Sequence, residues 1–373
     1  MRWSTYISPS DGREHIAVAD GDRLYGLAQP SRLLELLADR TALEEAAEHA
    51  RTSPFEVIDP AGVQLRAPVP VPPSIRDFIA FEEHVRNASS GFGRQVNPVW
   101  YEVPLFYFTN PAAVRGPNEP VAIAPGSEAF DYELEIGMVI GRPGRDLDPA
   151  TAEEHIAGLM IFCDWSSRDL QRREQQGNLG PAKGKDTATT FGPWLLTADE
   201  LSGRRAGNAW DLEMTATVNG KRYSHGNLSS IYWTPGQILA YASRGTELRT
   251  GDVIGTGTVG SGCILELSAL HGSEAYPWLQ AGDTVEPPLS PSDDPQRLGL
   301  AARRIPPWPV RRASGVVDPS AHRERPVRRS SLGGSAAATR VPRSRFGLLA
   351  EISRPSTGRL VIAAGTVLTC RVM

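Results

Sequence analysis

Asp131-Tyr132-Glu133-Leu134-Glu135-Ile136-Gly137-Met138-Val139-Ile140-Gly141 sets two glutamates two positions apart inside an otherwise apolar run. The run predicts a strand, and side chains along a strand alternate between its two faces. Glu133 and Glu135 then share one face, while Leu134 and Ile136 point into a core. Two neighbouring acids raise each other's pKa unless a cation stands between them, and a hard divalent ion that takes oxygen ligands meets that need. The plainer reading is a solvated face whose acids pair with Lys or Arg. The rest of the chain decides between the two.

A third acid ends the apolar stretch Ile161-Phe162-Cys163-Asp164, with Arg168 and Gln171 at +4 and +7, the spacing of one helical face. An acid there also serves as an ordinary helix N-cap. Added to Glu133 and Glu135, Asp164 makes three carboxylates, enough for Mg²⁺ or Ca²⁺ with positions left for water and substrate. Upstream, Asp77 and His84 are seven residues apart and fall on one side of a helix or turn-rich lid. Downstream, Gly184-Lys185 lies in a glycine-containing loop without the Gly-x-x-x-x-Gly-Lys-Ser/Thr pattern of a phosphate loop. A lysine there suits a substrate carboxylate or enolate.

Length and composition bound the answer. With 373 residues, 40% of them hydrophobic, the chain can build one large or two ordinary domains. The overall charge of −4 is divided unevenly: residues 287–373 hold 15 Arg, no Lys and 5 Asp or Glu, a net of +10, which leaves −14 on residues 1–286. The acidic body argues against nucleic acid as a partner and suits a protein that captures cations. Cys163, Cys263 and Cys370 are too few and too scattered for a disulfide framework or a zinc ribbon. That sparse set points to a reducing cytoplasm, and a polar start and the lack of any run of ~18 apolar residues predict a soluble protein that does not enter a membrane.

Taken in order, residues 1–70 read as a small N-terminal α+β domain. It has a hairpin turning at Asp20-Gly21-Asp22 and a helix over 31–50 with Ser31 as N-cap. The proline-rich stretch 66–73 is an extended linker, and 71–286 is the main domain. Strands are expected at 105–109, 121–124, 132–140, 158–163, 194–197, 213–218, 253–256 and 263–267, and helices at 151–156 and 237–242. The fold class is therefore mixed α+β, mainly β, without the crossover helices of a parallel sheet. The Arg/Pro/Ser-rich tail 287–373 shows no sustained period and reads as disordered.

Together, the segment from Asp77 to His84, Glu133-Leu134-Glu135, Asp164-Trp165-Ser166-Ser167-Arg168-Asp169-Leu170-Gln171, Gly184-Lys185, Gly257-Thr258 and Leu265-Glu266-Leu267-Ser268 resemble the fumarylacetoacetate hydrolase family in order and spacing. The resemblance covers about residues 70–286. It implies a β-roll catalytic domain, a homodimer, a divalent ion (Mg²⁺ or Ca²⁺, with Mn²⁺ as a further choice) and small 2-oxo or β-diketo acid substrates from aromatic compound catabolism. It also implies metal ligands Glu133, Glu135, Asp164 and Asp77, and a general base His84 oriented by Glu266. Lys185, Arg168 and Gln171 would hold the substrate's oxyanion and carboxylate, Thr258 would contact a carboxylate, and Thr189 would lie near the metal.

The implied reaction is hydrolysis of a C–C bond in a β-diketo acid or acylpyruvate, of the fumarylacetoacetate or fumarylpyruvate type, through a metal-stabilised enolate. Decarboxylation, tautomerisation and dehydration of a 2-oxo acid are the alternatives within the family, and a silent metal-binding homologue is the alternative outside catalysis. Two departures bear on the substrate: Ile79 and the region of Gln175 stand where the fumarylacetoacetase branch has tyrosines. Tyr107 and Arg94 are the residues expected to supply comparable contacts. The tail is also expected to interrupt the strand pair with which the family's fold usually finishes.

Overall fold

The computed structural model describes residues 1–28, 32–91, 95–117, 119–286 and 308–312. The stretch 131–141 is the centre of the architecture. Leu134–Ile140 runs antiparallel between Ile156–Asp164 and Val253–Gly255, with Leu134 opposite Cys163 and Gly137 opposite Gly255. Ile75–Phe78 adds in parallel to Val253–Gly255, and Phe106–Phe108 closes that side. On the other side, Leu195–Thr197 joins Ile156–Asp164 and then pairs with Arg2–Ile7. Through this pairing the strands of residues 1–70 continue the same sheet, which reaches 13 strands among the described residues.

Alternation decides what each sheet face meets. Leu134, Ile136, Met138 and Ile140 enter the main core, whereas Val139 on the opposite face packs with Leu33, Leu37, Leu43 and Ala47 of the N-terminal helices. Those helices are α1 (Leu33–Leu36) and α2 (Arg40–Thr52), where one helix over 31–50 was expected. The break comes at Asp39, whose carboxylate accepts from the Thr41 and Ala42 amides and so starts a new helix. Ser31 lies outside the described residues. The hairpin appears as expected, with Asp20 opposite Arg23.

Four further helices are α3 (Glu82–Gly91), α4 (Arg168–Gln176), α5 (Pro235–Ser243) and α6 (Ile264–His271). The last corrects the expectation of a strand over 263–267: Cys263 makes an isolated bridge to Glu133 and the chain then turns helical. A second sheet orders Lys221–Asn227, Glu213–Val218, Thr284–Glu286, Trp308–Arg312 and Val121–Ile123. The strand Trp308–Arg312 corrects the expected interruption of the closing strand pair. It lies antiparallel to Thr284–Glu286 and parallel to Val121–Ile123, with Val310 buried, and so supplies the pairing from inside the Arg/Pro-rich stretch. The rest of 287–373 lies outside the described residues. No helix among the described residues is long and apolar enough to cross a membrane.

Candidate active site

The acids gather where three strands end together. Glu133 and Glu135 share the sheet face predicted from their spacing, yet both are buried. Asp77 sits on Ile75–Phe78 directly opposite Gly255, and Asp164 is the last residue of Ile156–Asp164. A Cβ on Gly255 would stand 2.4 Å from Asp77 Oδ1 and 3.2 Å from Glu135 Oε2, so glycine at 255 leaves room for two carboxylates to meet. Asp77, Glu135 and Asp164 thereby bring one oxygen each within 4.8 Å of the others. Oδ1 of Asp77 and Oδ1 of Asp164 are buried with no hydrogen-bond partner. Buried acceptors left unpaired are costly, and a divalent cation with oxygen ligands fits both the charge and the open lone pairs.

Glu133 has a different environment. Its Oε1 lies 2.8 Å from Arg168 Nη2, and its Oε2 accepts a short hydrogen bond from Lys185 Nζ. The Lys185 ammonium also donates to Asp164 Oδ2 at 2.5 Å and to Ser166 Oγ at 2.7 Å. The Tyr107 hydroxyl reaches Asp77 Oδ2 at 3.0 Å and Asp164 Oδ2 at 2.5 Å.

The electrostatics divide accordingly. Burial works to raise Glu133, but Arg168 and Lys185 together hold its carboxyl well below the usual range. Burial raises Glu135 well above that range, with the charge of Asp77 adding to it. Burial likewise raises Asp164 against the pull of Lys185, and pushes Asp77 up to about 6. These three buried carboxylates, of which Asp164 touches Lys185, must keep protons or take up another cation.

Beside the acids, α3 carries His84 and α6 carries Glu266. His84 Nδ1 lies 2.7 Å from Glu266 Oε1, and Glu266 Oε2 accepts from Asn87 Nδ2 at 2.8 Å and from the Ser261 amide at 2.9 Å. The Cys263 thiol contributes a 3.5 Å contact to Oε1. Burial presses the imidazole toward its neutral form, yet the Glu266 carboxylate outweighs this and the His84 pKa is raised. Asp77 and His84 were expected on one side of a single element. They belong to a strand and to the following helix, and the turn between those elements sets their approach.

Arg168 and Gln171 occupy the first turn of α4, with Arg168 Nη1 donating to Gln171 Oε1 at 3.1 Å. A Cβ on Gly184 would come within 2.7–2.9 Å of the Gln171 backbone and Cβ, so only glycine lets the loop bearing Lys185 lie against α4. Thr258 Oγ1 donates to Glu135 Oε1 at 3.3 Å and the Gly257 amide donates to Oε2 at 3.0 Å. Thr189 pairs with Asp164 across adjacent strands.

These groups open onto a cleft of about 520 Å³ whose wall includes His84, Glu133, Glu135, Lys185, Arg168 and Thr258, faced by apolar Phe78, Ile79, Leu105 and Phe106. Of the expected contacts in place of the two missing tyrosines, Tyr107 lines the cleft with its hydroxyl turned to the acids, and Arg94 lies outside the described residues. Asp131, Ser166 and Asn87 had no assigned role. Asp131 was detectable: it stands at the same parity as Glu133 and Glu135.

The model of the fumarylacetoacetate (FAA) hydrolase C-terminal domain matches residues 74–302. A Burkholderia multivorans protein bearing the name "Putative hydrolase" is 36% identical over 203 residues, which are 54% of this chain and 67% of that protein. Other Burkholderia relatives are matched over 60% of their length. Among solved structures, the fumarylacetoacetate hydrolase of Exiguobacterium antarcticum superposes with a TM-score of 0.57 at 27% identity, covering 77% of this chain and 95% of that one. Maleylpyruvate hydrolase of Sphingobium sp. SYK-6, solved with manganese(II) and pyruvate, shares the fold with a TM-score of 0.60 at 22% identity, covering 84% and 100%.

Proposed function

We propose, for a chain that belongs to the fumarylacetoacetate hydrolase family, that its cleft hydrolyses a C–C bond of a β-diketo acid or acylpyruvate with the help of a divalent cation. The observation that carries this reading is the convergence of Asp77, Glu135 and Asp164, two of them with unpaired oxygens, beside the His84–Glu266 pair. Asp77, Glu135 and Asp164 would hold the ion, with Glu133 as the fourth acid of the wall. When bound, it supplies Lewis-acid stabilisation of negative charge on the oxygens of a 2-oxo acid.

The chain's own groups do the rest. His84 Nε2 takes a proton from water as the oxygen attacks the carbonyl carbon next to the scissile bond, while Glu266 keeps Nδ1 protonated and the ring oriented. The bond to the attacked carbon breaks, and its electron pair passes to the 2-oxo acid fragment as an enolate. That fragment then takes back the proton held on His84 and leaves as pyruvate or a substituted pyruvate, while the acyl carbon, now carrying the water oxygen, leaves as the second acid. Arg168 and Lys185 supply positive charge along the wall where the oxyanion and carboxylate develop. The apolar side formed by Phe78, Leu105 and Phe106 limits water and takes the acyl chain.

The test is product analysis with the full chain and Mn²⁺ or Mg²⁺, with and without EDTA, on acetylpyruvate, fumarylpyruvate and oxaloacetate. Pyruvate plus a second acid, lost with EDTA and in His84→Ala, is the expected result. Carbon dioxide from oxaloacetate alone, or isomerisation without cleavage, would replace hydrolysis by another family chemistry. Turnover unaffected by EDTA would remove the metal from the mechanism.

A further inference from the structure

Asp131 is fully buried, and its carboxylate accepts four hydrogen bonds and makes one further ion-pair contact, from three parts of the chain. Oδ2 accepts from Arg168 Nε at 2.8 Å and lies 2.7 Å from Arg168 Nη2, and it also accepts from the Leu265 amide at 3.0 Å. Oδ1 accepts from the Ile264 amide at 2.8 Å and from the Tyr132 amide at 2.8 Å. A carboxylate offers about four lone-pair sites, so no acceptor capacity is left over for substrate or metal. None of the roles assigned above uses this residue.

Its contacts divide into two branches. Ile264 and Leu265 are the first two residues of α6, and the N-cap residue Cys263 makes no capping bond with its side chain. Asp131 caps the helix from across the fold and places negative charge at its N-terminus, where the open amides and the helix dipole favour it. Glu266 follows one residue later and holds His84 Nδ1. The other branch is the Arg168 guanidinium, whose Nη2 lies between Asp131 Oδ2 and Glu133 Oε1 and whose Nη1 donates to Gln171.

We propose that Asp131 is a positioning residue of the catalytic pair: by tying the first turn of α6 to the Arg168 guanidinium, it sets the distance and angle at which Glu266 meets His84. The proposal rests on the reading of His84 as general base. Asparagine at 131 keeps one acceptor for the α6 amides but turns an amide donor toward Arg168 and Leu265, so donors face donors. The variant therefore breaks the tie between the two branches with almost no change of volume.

The test has one arm that needs no substrate. In the full-length protein the Nδ1–H of His84, held by Glu266, gives a downfield proton NMR signal, assigned by its disappearance in Glu266→Gln. In Asp131→Asn the signal moves upfield or is lost although the protein stays folded. The second arm is a double-mutant cycle on acetylpyruvate with Mn²⁺. Asp131→Asn alone lowers kcat by about 10–100-fold, as outer-shell partners do, with KM nearly unchanged. In the Glu266→Gln background it costs about threefold or less, because both changes act on one contact.

An unchanged His84 signal in folded Asp131→Asn, or losses that multiply in the cycle, overturns the proposal and leaves Asp131 a structural cap whose loss shows only in the melting temperature. If the wild type turns over no substrate, the functional reading fails while the NMR arm still decides the position of Asp131. Asp131→Ser, which keeps a hydroxyl acceptor, carries the same test if the asparagine variant does not fold.

Discussion

At the scale of single residues, His84 and Glu266 make the sharpest predictions. His84→Ala should lower kcat by about 10²–10⁴-fold, the usual contribution of a positioned acid–base group. Mn²⁺ affinity measured by calorimetry should stay near wild type, because His84 is not among the acids that converge. Glu266→Gln tests the sign of the electrostatics. The carboxylate raises the His84 pKa against the effect of burial, so the base form appears only as pH climbs through that raised value. Removing the charge leaves burial dominant, and the acid limb of the kcat/KM profile should move to lower pH while kcat falls. A limb that stays in place or moves upward would show that His84 does not govern it.

Elements place residues that no local pattern could place. Gly184 lies against α4 so closely that a methyl group at 184 must displace either the Gln171 backbone or the loop bearing Lys185. Gly184→Ala should therefore destabilise the fold by about 1–3 kcal/mol, the range for overpacking, and lower kcat as Lys185 shifts. Thermal melting checks the first effect and turnover the second. The helix α6 makes the complementary point. Its residues Cys263-Ile264-Leu265-Glu266-Leu267 form a short, mostly apolar run that reads as a strand, because the capping that starts the helix comes from Asp131, more than 130 residues upstream. The start of α2, in contrast, is local: Asp39 precedes the amides it caps.

At the scale of the whole molecule, two couplings can be measured. Asp77 is pushed up to about 6, with Glu135 and Asp164 also raised, so protons compete with a cation for the same oxygens. Mn²⁺ affinity should rise with pH through that range, and saturating Mn²⁺ should raise the melting temperature more at pH 7.5 than at pH 5.5, since an ion that binds only the folded form stabilises it according to its affinity. An equal shift at both pH values would count against the carboxylate site. The second coupling is the strand Trp308–Arg312, which joins Thr284–Glu286 to Val121–Ile123. Val310→Asp would bury an unpaired charge and should cost about 3–5 kcal/mol, visible as a lower melting temperature.

The family resemblance joined Asp77 and His84 to the acids, whereas alternation along 131–141 and the mainly β fold class were legible in the residues alone. These features follow from short-range periodicity and side-chain chemistry. Folding decided the rest. The register between Ile75–Phe78, Leu134–Ile140 and Ile156–Asp164 brings Asp77, Glu135 and Asp164 together, and packing beyond those strands turns Glu133 to Arg168 and Lys185, bonds Tyr107 to the acids and ties Asp131 to Arg168 and the start of α6. Each of these contacts joins segments far apart in the chain, and their distances depend on strand pairing and packing that no local pattern encodes.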